Sequence, residues 1–199
     1  MRHRTMAFIV AIDCAMSFFQ NYPCRLVATE LECDLPCEER FFESNRPYSE
    51  PGFMFQRQHT ILDAFERFFT GEDESATPPA LSLTVLDMFI MIHLLYAHLN
   101  TQMTLLTPLL HARRSKDVDQ HAGMKAIKTA MTMWRNVWMQ MRSRITNQEW
   151  ATMGFWKNSY NYWSVAQLLL SKKDKVDSVL RMEFGEDKLE RLKLLLQDE

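Results

Sequence analysis

Glycine is scarce in this sequence, at five of 199 residues, and nowhere do glycines cluster into a loop that could cradle a phosphate. No Gly-x-Ser-x-Gly elbow presents a serine nucleophile. No pair of carboxylates shares one helical face in an apolar setting. Catalysis needs a positioned acid, base or nucleophile, and none is nominated, so the chain reads as a non-enzyme. Cysteine occurs at positions 14, 24, 33 and 37, with no Cys-x-x-Cys pair and no following His-x(3–5)-His. That spacing makes no zinc finger. Cys33 and Cys37 alone supply two ligands, short of a site. Reduced thiols are expected of an intracellular chain. Excess charge of one sign is also lacking. A formal net charge of −2 gives no global attraction to nucleic acid, and direct DNA binding is not expected. Internal repeats and low-complexity blocks are absent from the sequence.

What is present is a globular composition, 47% hydrophobic and 24% charged. The length suits one domain with a sizeable core, over 1–199. Few glycines and long periodic runs predict an all-α fold, an irregular multi-helix bundle. The fourteen methionines read as core filler.

The stretch Arg2–Phe42 has two halves. Met6–Phe19 is apolar almost all round a helix and is expected to be enclosed. Its polar stripe is Asp13, Ser17 and Gln20. A buried carboxylate needs a partner, and Arg2, Arg4 and Arg25 are the candidates for an ion pair with Asp13. Val27–Cys37 is acidic and reads as an extended connector, with Pro36 disfavouring helix at Leu35. A basic start before an apolar run also has the form of an export signal. Asp13 interrupts it, and no small-x-small cleavage site follows.

Residues 38–53 read as loop. Phe55–Phe69 carries helical spacing, stopped by Gly71. Residues 71–80 form an acidic, proline-rich loop expected to be mobile. Leu81–Leu99 is long enough for a membrane span, but Asp87, His93 and His98 interrupt it. It reads as a core helix with Ser82 as N-cap, continuing to Leu106. Residues 119–144 repeat Ile127, Met131, Trp134, Trp138 and Met141 at helical spacing, with Lys125, Lys128, Arg135, Arg142 and Arg144 on a basic flank. Nucleic-acid stacking needs such aromatics exposed; their core-like positions favour a solvated basic face instead. Thr146 to Glu149 matches a capping box that opens a helix to Ser171, disturbed at Gly154. Residues 172–199 form a charged tail with one or two amphipathic helices broken at Gly185. Phe89, Trp134, Trp138, Trp156, Tyr160 and Trp163 read as core rings that could also line an apolar pocket.

Arg4–Asp13, followed by Glu30-Leu31-Glu32-Cys33-Asp34-Leu35-Pro36-Cys37-Glu38, resembles the middle homology region of fungal transcription factors. That region is the regulatory domain of zinc-cluster factors and of some two-Cys two-His finger factors. Phe155–Trp163 and Leu168–Leu170 are similar to it as well. The resemblance spans most of the chain and is most specific at Arg4, Asp13, Glu30, Leu35, Pro36, Cys37 and Glu38. It implies transcription regulation in the nucleus, a partial regulatory domain, and a DNA-binding module outside this chain. Zinc would belong to that module, so no cofactor is expected here. The implied partners are proteins of the transcription machinery or a second copy of the chain, with a small apolar effector and no membrane. The alternative is a helical carrier of apolar small molecules.

Overall fold

The computed structural model describes residues 2–20, 22–26, 28–57, 59–70, 82–103 and 118–180, with Glu190 and Leu194. Helices dominate, and no strand occurs among these residues beyond an isolated bridge between Asp34 and Thr60. The fold is all-α.

The centre is helix α4 (Val85–Thr101), numbered after α1 (Arg2–Gln20), α2 (Glu39–Glu43) and α3 (Ile61–Arg67). Every residue from Val85 to Ala97 is buried, as are Leu99 and Asn100. A helix apolar on all sides needs cover on all sides. That cover comes from α1, from α5 (Val118–Arg144) and from α7 (Ser159–Leu180), with α3 on a smaller contact. Helix α6 (Asn147–Thr152) and a 3-10 turn at Gly154–Asn158 join α5 to α7.

The ends of these helices follow local rules. Thr84 caps α4: its side chain accepts from the Asp87 N–H, and the Asp87 carboxylate accepts from the Thr84 N–H. Ser82, the cap expected from the sequence, lies two residues too early. Thr60 and Asp63 build the same box on α3. The helix expected over Phe55–Phe69 therefore begins at Ile61. Phe55 lies outside it, exposed, in a ring cluster with Tyr48 and Phe53. Thr146 and Glu149 box the start of α6 as the sequence predicts. Gly154 has φ +58°, a left-handed turn that glycine accepts without strain, so the expected single helix is divided there.

Helix α1 departs from expectation in burial. Ala7, Val10, Ala11, Cys14 and Ser17 face inward. Phe8, Ile9, Ile12 and Met16 are exposed, with Ile12 at 61%. An apolar surround therefore did not mean enclosure. No helix among the described residues is long and apolar enough to cross a membrane. The loop expected at 71–80 lies outside the described residues. So do 104–117 and, apart from Glu190 and Leu194, the part of the expected tail beyond Leu180.

Candidate functional site

The two stretches that carry the family resemblance meet on one side of the molecule. The chain after α1 returns along it, because Asp13 Oδ2 accepts from the backbone N–H groups of Arg25 and Leu26, at 2.8 and 2.9 Å. Among the described residues Asp13 forms no ion pair, against expectation: a carboxylate with two backbone donors needs no cationic side chain. Ser17, on the same stripe, is buried and accepts from Asn100 Nδ2 of α4 at 3.1 Å. Gln20 is exposed.

Residues 31–36 then run beside 59–62. The Leu35 N–H donates to His59 O, the Ile61 N–H to Cys33 O and the Leu62 N–H to Leu31 O. Leu31 and Leu35 are buried, each about as fully as a core residue. Glu30, on the preceding 3-10 turn Ala28–Glu30, is exposed. Cys37 is half-buried, and Glu38 receives Arg40 Nε at 2.8 Å. Arg4 is 7% exposed, pairs with Glu39 at 2.7 Å and lies 3.8 Å from the Phe42 ring centre. Arg4 thus serves α2 rather than Asp13.

One arginine closes the assembly. Arg57 Nη1 donates to Asp87 Oδ2 at 2.6 Å and to Pro36 O at 3.0 Å, and Nη2 donates to Ser82 O. It joins the Leu-Pro strap, the approach to α4 and the cap of α4. Asp87 is wholly buried. Burial pushes its carboxyl above the ordinary value, while Arg57 and the Thr84 groups pull it down. Sequence reasoning took Asp87 only as an obstacle to a membrane span and missed Arg57. The legible signal was Thr84-x-x-Asp87, a capping box that begins an otherwise apolar run.

The six candidate pocket rings fall into three groups. Phe89 and Trp156 lie 5.2 Å apart and meet Phe8, Phe155, Tyr162 and His93. Trp134 stacks on Trp138 at 5.2 Å, and Trp138 meets Trp150. Tyr160 stacks on Trp163 at 5.1 Å. Trp134 Nε1 donates to Met88 O, and Trp163 Nε1 to Met131 O, so both indoles are tied to backbone. Trp134 and Trp138 are buried, which leaves the basic flank of α5 without exposed tryptophans from this pair for base stacking.

His93 lies in the first group. Its Nδ1 meets Phe89 O at 2.7 Å, which assigns the proton to Nδ1. Nε2 is buried with no hydrogen-bond partner among the described residues. Burial holds its pKa down at about 4. His98 is half-buried against Phe65 and Phe69, and burial lowers it too. Among the described residues no three His, Cys, Asp or Glu side chains gather as metal ligands.

The geometry describes a tethered strap and an outward apolar helix face, and the comparisons add no relative: no family model, no curated protein and no solved structure matches this chain.

Proposed function

We propose that this chain is a regulatory module of a fungal transcription factor, working in the nucleus through protein contact and without reading DNA itself. The observation that supports the reading is the interlocking of the resembling residues. Arg4 and Asp13 on α1 hold the chain on either side of the strap, at Glu39 and at residues 25–26, while within the strap Leu35 is buried and Pro36 O accepts from Arg57. The exposed row Phe8, Ile9, Ile12 and Met16 on α1 offers a partner an apolar face on a helix packed against α4. A bound protein would bias the packing of α1 on α4, which is how a regulatory body passes on occupancy.

The test fuses the full chain to an unrelated DNA-binding domain upstream of a reporter in a fungal cell. The expected result is a change in reporter output that is lost when Ile12 and Met16 are both replaced by Gln. Output equal to that of the DNA-binding domain alone, from a fusion that is nuclear and folded, would overturn the proposal. The purified chain alone should give no sequence-specific shift of DNA at physiological salt.

A second reading, binding of an apolar small molecule, is favoured by one feature. The Nε2 acceptor of His93 is buried without a partner in a ring cluster whose rim, Phe8 and Phe155, is exposed. A ligand with one hydroxyl and an apolar body would satisfy both. Such ligands should perturb tryptophan fluorescence, and Trp156→Phe should remove the response. A response unchanged by that substitution would dismiss this site.

A further inference from the structure

We propose that Cys14 and Cys24 form a reactive dithiol that closes to a disulfide on exposure to peroxide. The argument begins with the carboxylate that positions the loop. Asp13 takes the N–H groups of Arg25 and Leu26, and this draws the residue before them against α1. The Cys24 sulfur arrives 4.0 Å from the Asp13 carbonyl oxygen, at the peptide that joins Asp13 to Cys14. That sets Cys24 against the stretch of α1 that carries Cys14 and, three residues on, Ser17. Both cysteines are free. Cys33 and Cys37 belong to the strap and have no part in this contact.

The two thiols are unequal, as a nucleophile and its resolving partner should be. Cys24 is half-buried and reachable by a small oxidant, whereas Cys14 is 3% exposed on the inward face of α1. Interaction with the Cys14 side chain holds the Cys24 thiol below its ordinary value, and Ser17 assists against the opposing effect of burial. The same interaction, followed by burial, pushes Cys14 well up. Thiolate character on the accessible member is what directs oxidation to it.

The chemistry balances with hydrogen peroxide as oxidant. The Cys24 thiolate attacks one peroxide oxygen, the O–O bond breaks, and the departing hydroxide takes a proton and leaves as water. Cys24 is then a sulfenic acid. The Cys14 sulfur attacks the Cys24 sulfur as it gives up its proton. The S–S bond forms, the S–O bond breaks, and hydroxide leaves with that proton as a second water. The two thiols lose two electrons and two protons, and peroxide is reduced to two waters. The product ties the loop covalently to α1. It also withdraws Cys24 from Ser17, whose hydroxyl receives Asn100 of the central helix.

The test uses the full reduced chain, stoichiometric peroxide, alkylation and tryptic mass mapping. Thr5–Arg25 is one tryptic peptide and holds both cysteines. It should become lighter by two hydrogens, lose alkylation at both positions, and regain both with dithiothreitol. Cys33 and Cys37 should stay alkylatable. In Cys14→Ser, a dimedone adduct should accumulate at Cys24. In Cys24→Ser, Cys14 should stay unoxidised under the same treatment. The first measurement needs no variant, so a misfolded mutant does not blunt it. Both thiols still alkylatable after peroxide, a first bond between Cys33 and Cys37, or pairing of Cys24 with another chain would each overturn the proposal.

Discussion

His93 is a buried base with one nitrogen engaged and the other facing rings. Phe89 and Tyr162 lie at 4.2 and 4.3 Å between ring centres, and the described contacts bring no carboxylate to it. The unfolded chain takes up a proton near the ordinary value of 6.5, while the folded chain resists until about 4. Stability from neutral His93 is therefore full above the unfolded pKa and lost as pH falls through the folded one. Between pH 7 and 5 this amounts to about 2 kcal/mol, an order of magnitude from the linkage relation. Urea unfolding at both pH values should show His93→Leu losing less stability than the parent by about that amount. Equal losses would place the titration elsewhere, His98 being the next buried imidazole. The histidine's burial was legible from its place in an apolar run. Its orphaned nitrogen was not, because that depends on Tyr162 arriving from α7.

At the scale of elements, the strap and the start of α4 share one fastener. Removing Arg57 leaves the Asp87 carboxylate inside the protein with its Thr84 bonds alone. Arg57→Met should cost about 3–5 kcal/mol, as breaking a buried pair on one side does. Adding Asp87→Leu should return part of that loss, since the stranded charge is then gone. Urea unfolding of the two variants checks both signs, and a double variant weaker than the single would contradict the account. Local chemistry explains which elements could be read in advance. The Thr146 box is contained in four residues, and the sequence predicts it. Thr60 and Thr84 carry the same grammar with aspartate at the third helical position. The aromatic spacing before Thr60 suggested helix where the chain instead builds a surface ring cluster. Arg57 was illegible because its three partners lie 21 to 30 residues away.

For the whole molecule, the notable surface is the outer side of α1. Ile12→Gln together with Met16→Gln removes apolar area that is largely exposed. Folding stability should change by no more than about 0.5 kcal/mol. Sedimentation at high concentration should shift toward monomer relative to the parent. An unaltered sedimentation profile would mean that this face does not mediate self-association. The all-α architecture was legible because periodicity persists over long runs. The half-exposure of α1 was not, because its sequence is nearly as apolar outside as inside.

Helix α4 is sheathed on one flank by the first helix of the chain and on others by α5 and α7. During synthesis it therefore leaves the ribosome with only part of its sheath. At about 5–20 residues per second, the nascent chain carries this greasy rod only partly covered for several seconds before α7 emerges. Holdase chaperones bind such segments, and α4 is the natural place for one to grip.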